Sequence, residues 1–247
     1  MTERLFLDEL TYEEASRLEG AVALLPTGAT EAHGPHLPLG TDVIISRTAA
    51  ARACRRLRDE GVRAIVLPPI AYAVTEFAAG FDGTLSIPIE TARALVRDVI
   101  LATKRAGFAG VVVCNAHLEP GNLQALREAV SEAEAAGARA LFPDVTRKPH
   151  ALRLGEEFKS GACHAGRYET SLVLAADESL VRRDVQSALV PNPSSLSVAI
   201  REGKQSFEDA GGPQAYFGWP ADATAAEGDA LYEELASIFA EAARTLV

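Results

Sequence analysis

The sequence predicts an α/β domain built around a mainly parallel sheet. Two observations support this prediction. Short runs that are apolar throughout, only four to six residues long, alternate along the chain with longer stretches whose apolar residues recur at helical spacing. Strands that are buried on both faces of a parallel sheet have this continuous apolar composition.

The predicted elements follow one another regularly as far as residue 142. Strands are predicted at residues 21–26, 64–67, 110–114 and 138–142. Helices are predicted at residues 43–60, 91–106 and 122–136, each followed by a glycine that can form a left-handed C-terminal cap: Gly61, Gly107 and Gly137. Residues 143–230 are less regular, and the pattern there predicts only a helix at 167–176. A final amphipathic helix is predicted at 229–245.

The composition argues against several classes of protein. The 247 residues include 24 Lys and Arg against 34 Asp and Glu, and the resulting charge of −10 argues against a nucleic-acid partner. No apolar run is long enough to cross a membrane, the N-terminus has no signal-peptide pattern, and the three cysteines have no metal-binding spacing. We therefore expect one domain over residues 1–247 in the reducing cytoplasm, without a membrane or nucleic-acid partner.

Side chains that can ligate metals follow the first and third predicted strands. Glu31, His33 and Asp42 come after residues 21–26, and His117 and Glu119 come after residues 110–114. Ligands of an open α/β sheet bind beyond the carboxyl ends of its strands, so the two loops are expected to face one cavity. Residues two apart in extended backbone point the same way, so the pairs 31/33 and 117/119 can each present two donors.

This donor set suits a pair of divalent cations. Two imidazoles and three carboxylates can hold two ions with one carboxylate bridging them, and ions about 3.5–4 Å apart can share a hydroxide and polarise a carbonyl oxygen. Mixed nitrogen and oxygen ligation favours Zn²⁺ or Mn²⁺ over magnesium or calcium, with Fe²⁺ as a further candidate.

Each of these residues also has an explanation that needs no metal. A Glu-x-His segment can be a solvated turn, Asp42 can cap the N-terminus of the helix beside it, and His117 can be a hydrogen-bonded histidine of the core. All three explanations would have to coincide at the same end of one sheet, so the sequence favours the metal site. His36, between Pro35 and Pro38, is interpreted instead as fixing the loop.

Residues 27–42, TGATEAHGPHLPLGTD, resemble the signature of the creatininase (creatinine amidohydrolase) family. Further segments agree in order: FDGTLS at 81–86, NAHLE at 115–119, HAGRYETS at 164–171 and the region around Trp219. The resemblance extends over residues 20–235 of the chain. It implies a three-layer α/β sandwich with a mainly parallel central sheet, a dinuclear metal site, hydrolysis of non-peptide or unusual C–N bonds, and a homo-oligomer that is commonly a hexamer.

The resemblance also assigns metal ligands by position. Glu31, Asp42 and His117 would hold one ion, and His33, Asp42 and Glu119 the other, with Asp42 bridging. Many relatives have glycine where this chain has Glu119, so Glu169 is the alternative: it would replace that ligand or orient one of the others. Glu169 can equally be an acid that the helix dipole favours at the start of helix 167–176.

Three residues of the segment around 164 are candidates for proton transfer and substrate binding. His164 is the predicted proton carrier to the leaving nitrogen, because imidazole serves near neutral pH; the alternative is a structural loop histidine. Arg167 is a candidate partner of a substrate carboxylate or phosphate, or else a surface helix residue. Cys163 stands where creatininase itself carries Glu, and it is also explained as a small buried apolar residue. That departure, with Trp219 as the one tryptophan, argues against creatinine as the substrate.

We therefore predict an amidohydrolase that cleaves a non-peptide C–N bond of a small molecule, such as a cyclic amide or a formamide, through a hydroxide that bridges the two ions. Alternatives on the same site are a mycofactocin-system-type peptidase and a hydrolase that breaks a C–C bond of a cyclic keto-compound. A non-enzymatic binding module is a weaker alternative, because it predicts the loss of a ligand or of the proton carrier, and all of these positions are present.

Overall fold

A parallel sheet forms the centre of the molecule. The computed structural model describes residues 4–247, and within them the strands are β1 (Val22–Thr27), β2 (Ala64–Val66), β3 (Gly110–Asn115) and β4 (Ala140–Leu141), in the spatial order β2-β1-β3-β4. Every neighbouring pair is parallel. The predicted strands are confirmed, although β4 is shorter than residues 138–142. Pro143 has no N–H group to donate, and β4 pairs with β3 alone.

Helices flank the sheet on both faces. In the described part of the chain the α-helices are α1 (Tyr12–Ala15), α2 (Thr41–Asp59), α3 (Ile89–Arg105), α4 (Pro120–Ala135), α5 (Gly155–Ser160), α6 (Arg167–Asp177), α7 (Arg183–Ala188), α8 (Leu196–Arg201) and α9 (Ala225–Arg244). The five predicted helices are confirmed to within four residues at their ends. The unpredicted helices α1, α5, α7 and α8 have four to six residues each, too few for a helical period to stand out. None of these helices has the length and apolar character needed to cross a bilayer.

The sheet lies between two layers of helices, as expected for a three-layer sandwich. Along β1, Val22 and Leu24 pack with α2, α6 and α9. The alternate residues Ala23 and Leu25 pack with α3 and α4 on the other face. Successive side chains of a strand point to opposite faces, so both faces of β1 are buried and the strand is apolar along almost its whole length.

The strands β1 and β3 end side by side at the carboxyl edge of the sheet. Thr27 is paired with Asn115 in the register, and Thr27 Oγ1 donates a hydrogen bond to Asn115 Oδ1 over 3.1 Å. The loop that leads from β1 to α2 and the loop that leads from β3 to α4 therefore start from neighbouring points. An apolar cluster that includes Phe207 and Phe217 packs against the first of these loops at Ala32.

Candidate metal centre

Six titratable side chains converge at the carboxyl edge of the sheet, and all six are buried: Glu31, His33, Asp42, His117, His164 and Glu169. We refer to these six residues as the cluster. The loops after β1 and β3, the first turn of α2, the connection between α5 and α6, and the first turn of α6 supply them. Ligand atoms lie close enough together to hold a cation in three sets, namely Glu31–Asp42–His117, His33–Asp42–Glu169 and Glu31–His33–His164.

Asp42 lies between two of these sets. Its Oδ1 is 3.2 Å from His33 Nε2, and its Oδ2 is 3.2 Å from His117 Nδ1. His33 Nε2 is also 3.5 Å from Glu169 Oε2, and His117 Nδ1 is 3.2 Å from Glu31 Oε1. Each carboxylate oxygen of Asp42 thus faces a different imidazole, which is the arrangement that a ligand shared by two ions needs.

Backbone carbonyl groups fix the orientation of the three imidazoles. His33 Nδ1 donates to Glu31 O over 3.2 Å, His117 Nε2 donates to Val74 O over 2.8 Å, and His164 Nε2 donates to Ala32 O over 3.0 Å. A carbonyl oxygen can only accept, so these three nitrogens carry protons. The other nitrogen of each neutral ring keeps its lone pair on the side of the carboxylates, as a metal-ligating histidine requires.

The donor set fits divalent cations. His33 Nε2 is buried and has no hydrogen-bond partner, although carboxylate oxygens surround it. A buried polar atom without a partner is uncommon in proteins, and a cation would give the lone pair of this nitrogen a partner. Imidazole nitrogen together with carboxylate oxygen is the mixed ligation that zinc and manganese accept.

Groups of the loop after β1 and of the segment between β2 and α3 hold the acidic side chains in place. Asp42 Oδ2 accepts a hydrogen bond from the Ala29 N–H over 3.0 Å. A Cβ atom on Gly28 would lie 2.5 Å from Asp42 Cβ, so this position has no room for a side chain. The Thr75 hydroxyl donates to Glu31. Gly40, rather than Asp42, is the N-cap residue of α2, so the alternative of Asp42 as the cap does not hold.

The charges of the cluster are strongly coupled. Burial alone would lower the pKa of both imidazoles beside Asp42, but the surrounding carboxylates outweigh it. They raise the pKa of His33 to about 10 and hold the pKa of His117 well above its usual value. Burial raises the pKa of Glu169 to about 8, against the attraction of His33. With no cation bound, the cluster therefore carries protons at neutral pH on His33, His117 and Glu169.

The structure places Glu169, and not Glu119, beside His33 and Asp42. The Glu119 carboxylate accepts hydrogen bonds from the N–H groups of Glu76 over 3.0 Å and of Phe77 over 3.2 Å. Among the described residues it belongs to none of the three ligand sets. Glu119 is the N-cap residue of α4, so the chain turns there, and its carboxylate is held by residues 76–77 instead. The expectation that Glu119 approaches the second ion is replaced by its alternative, Glu169.

His164 is brought into the cluster. Its ring stacks on the ring of His33 with 4.5 Å between centroids, and on the ring of Phe207 with 4.2 Å. Its Nδ1 is 3.9 Å from Glu31 Oε1. Burial and the positive charge of His33 lower the pKa of His164 to about 4, so this imidazole is neutral at pH 7.

The remaining residues that the sequence singled out lie outside the cluster. Arg167 is ion-paired with Glu227 over 2.5 Å. Cys163 lines the cavity described below, and burial raises the pKa of its thiol. His36 shares a hydrogen bond of 2.8 Å between its Nε2 and Thr170 Oγ1, which ties the first loop to α6.

A cavity of about 500 Å³ opens onto the cluster. The cluster residues that reach it are Glu31, Asp42, His117, His164 and Glu169. Its walls are largely apolar: Phe77, Leu118, Leu123, Phe158, Leu196, Ile200 and Phe207. Glu119 lies on the wall, and burial raises its pKa against the attraction of His117 and the two N–H groups that it accepts from. A substrate in this cavity would contact apolar walls and place a polar group at the cluster.

Glu157 of α5 supports the site, and the sequence analysis missed it. Its carboxylate accepts N–H bonds from Arg167 over 2.9 Å, Tyr168 over 2.6 Å and Trp219 over 2.8 Å. These bonds tie the first turn of α6, which carries Glu169, to α5. A Cβ atom on Gly166 would lie 2.8 Å from the same carboxylate. Glu157 directly follows Glu156 on a six-residue helix. Nothing in that pattern indicates that Glu157 holds the start of α6.

Comparisons with known proteins identify relatives of this chain. The creatininase family model, described as creatinine amidohydrolase, matches residues 8–243. A mycofactocin precursor peptide peptidase from Mycobacterium ulcerans (strain Agy99) is 33% identical over 236 residues, which cover 93% of this chain and 88% of that protein. A creatinine amidohydrolase from Pseudomonas putida is 27% identical over 248 residues, with 84% of this chain and 92% of that protein covered.

Solved structures share the fold. A structure described as "Creatininase Mn" superposes with a TM-score of 0.77 at 25% sequence identity, and the match covers 98% of this chain and 98% of that chain. The predicted three-layer sandwich and the resemblance seen in residues 27–42 are confirmed by these findings.

The protonation of the cluster predicts that cation binding releases protons. His33, His117 and Glu169 must lose their protons before they can ligate a cation, so we expect about three protons released at pH 7 and an affinity that rises with pH. Calorimetric titration of the metal-free protein with Zn²⁺ in buffers of different ionisation enthalpy measures this number. Binding of the cations without proton release at pH 7 would contradict the assignment.

The contacts of Glu157 predict an effect on cation binding. Glu157→Gln replaces an acceptor oxygen with an NH₂ group that faces N–H donors, so the first turn of α6 and Glu169 lose their support. We expect the affinity for one of the two cations to fall by about 10–100-fold, as measured by competition with a chelator. Glu156→Gln, at the exposed neighbour, is the matched control. Equal affinities in the two variants would show that Glu157 does not position the site.

Proposed function

This chain belongs to the creatininase family, a family of hydrolases, and from that premise we propose that it is a two-metal hydrolase that cleaves an amide bond of a peptide. The observation that carries the proposal is the position of Asp42 between two imidazoles, at the floor of a cavity of about 500 Å³. We also propose that residues 1–247 form one domain, because the family model extends over residues 8–243. That this chain forms a homo-oligomer stays a prediction.

Five residues would hold the two cations. Glu31, Asp42 and His117 would hold one ion, and His33, Asp42 and Glu169 the other. When bound, two such ions supply a water of lowered pKa and polarise the carbonyl oxygen of the substrate. The likeness to a creatininase described with Mn supports Mn²⁺, and the imidazole donors suit Zn²⁺ equally.

Two side chains beside this floor can move the protons of amide hydrolysis. Glu119 lies on the cavity wall with a raised pKa, so its carboxylate can take the proton that an attacking water gives up. His164 has a pKa lowered to about 4, so once protonated it gives its proton readily to the departing amine nitrogen. Stacking against His33 and Phe207 keeps the His164 ring in place for this transfer.

The cavity favours a peptide over a single small ring. Its volume is in the range of pockets that enclose ligands of many atoms, and its walls suit apolar side chains. Identity of 33% to a protein named as a peptidase supports the same conclusion. The non-peptide C–N bond predicted from the sequence is the second candidate, supported by 27% identity to a creatinine amidohydrolase.

Replacement of the shared ligand tests the proposal. We expect Asp42→Ala to lose both cations and all amide hydrolysis, because each of the two ligand sets contains this residue. Metal content after chelation and reloading is measured by mass spectrometry, and amine release is measured on a panel of peptides, lactams, ureides and formamides. Asp184→Ala, at an exposed acid in α7, is the control and should behave like the unaltered protein.

Two results of this experiment would contradict the proposal in different ways. Two cations still bound to Asp42→Ala would overturn the ligand assignment. Amine release by the unaltered protein from lactams, ureides or formamides, with none from peptides, would overturn the peptide substrate and favour the second candidate.

A further inference from the structure

Two basic side chains line the largely apolar wall of the cavity. Lys159 belongs to α5, and Arg201 is the last residue of α8. Phe158, Leu196 and Ile200 line the same cavity beside them. Lys159 and Arg201 are the lysine and the arginine that line this cavity within residues 4–247, on a chain whose overall charge is −10.

Lys159 and Arg201 belong to one wall, because the C-terminal end of α5 is hydrogen-bonded to the N-terminal end of α8. The Ser197 N–H donates to Gly161 O over 3.3 Å, and Ser195 Oγ donates to Ser160 O over 2.7 Å. Ser160 and Gly161 directly follow Lys159, and Ser197 lies one helical turn before Arg201. The contacts therefore hold together the two helices that carry Lys159 and Arg201, and both residues line the cavity.

Arg201 has unused hydrogen-bonding capacity. Its Nε donates to Ser197 O over 3.1 Å, and no carboxylate within residues 4–247 forms an ion pair with its guanidinium. Arginines elsewhere on the surface, such as Arg153 and Arg244, are ion-paired with glutamates. The two terminal NH₂ groups of an arginine match the geometry of a carboxylate, so an unpaired guanidinium on a cavity wall is suited to binding one.

Lys159 has a partner that a ligand can replace. Its Nζ is 2.6 Å from Glu156 Oε1, and the Glu156 side chain is 90% exposed. Ion pairs in such exposed positions contribute little free energy, because water screens them. A carboxylate that also contacts Arg201 would therefore compete with Glu156 for the Lys159 ammonium group.

We propose that Lys159 and Arg201 bind a carboxylate of the substrate, so that the enzyme selects peptides that combine an acidic group with an apolar side chain. The inference rests on the proposed function, because it assigns the substrate of the same cavity. The carboxylate occupies the wall formed by α5 and α8, and the apolar side chain contacts Leu196 and Ile200. Arg167, the cation that the sequence singled out for this role, is already paired with Glu227.

A double variant with a matched control tests this selectivity. Lys159→Gln with Arg201→Gln removes two positive charges from the wall, and Lys104→Gln with Arg105→Gln removes two from the exposed end of α3. The probes are acetyl-Gly-Val-Leu with a free carboxylate, its C-terminal amide, and acetyl-Asp-Val-Leu amide. The readout is kcat/KM of the Mn²⁺-loaded proteins. The two acidic probes distinguish a C-terminal carboxylate from one on a side chain.

We expect the unaltered enzyme to prefer at least one acidic probe over the neutral amide by about tenfold or more, through a lower KM. The wall variant should lose this preference, and the α3 variant should keep it. A preference that survives in the wall variant overturns the inference, and so does equal kcat/KM for all three probes in the unaltered enzyme.

Failure of the proposed function is distinguishable from failure of this inference. If no probe is hydrolysed, the proposed function fails for these peptides, and calorimetric binding of the same three probes decides the inference. Tighter binding of an acidic probe that is lost in the wall variant upholds the carboxylate site. Equal or absent binding of all three probes overturns it.

Discussion

The structure depends on the burial of the Asp42 carboxylate between two imidazoles. An isolated carboxylate is far too costly to bury without a partner of opposite charge. Here His33 and His117 carry that charge when they are protonated, and two cations would carry it in their place. Residue 28 is a glycine for a related reason: the Asp42 side chain occupies the space that a side chain at this position would need. The register of β1 against β3 brings the loops that carry the two histidines together.

The regular part of the chain could be predicted from the sequence. The alternation of apolar runs with amphipathic stretches predicts the order of strands and helices, since both faces of the sheet are covered. The rule that ligands bind beyond the carboxyl ends of parallel strands then points to Glu31, His33, Asp42 and His117. The structure brings these four residues together. Their positions relative to the strands are determined by loops that begin at paired residues of β1 and β3.

The remaining part of the site could not be predicted, because it depends on the path of irregular segments. The spacing of His117 and Glu119 allows two donors only if the chain stays extended, but α4 begins at the next residue. Glu169 reaches the cluster because α5, α6 and the Trp219 segment are tied together by Glu157. The cavity walls come mainly from loops and from the short helices α5 and α8, which have no periodic signal. Four of the proposed metal ligands thus follow the ends of β1 and β3, whereas Glu169 and the residues proposed to select the substrate depend on the irregular segments.

The geometry of the cluster predicts that two cations share Asp42. Anomalous diffraction from crystals of the Zn²⁺-loaded protein, measured on both sides of the zinc absorption edge, tests it directly. We expect two anomalous peaks about 3.5–4 Å apart, each about 2.0–2.2 Å from one carboxylate oxygen of Asp42, with His117 beside one peak and His33 beside the other. A single peak, or two peaks of which only one lies within ligand distance of Asp42, would contradict it.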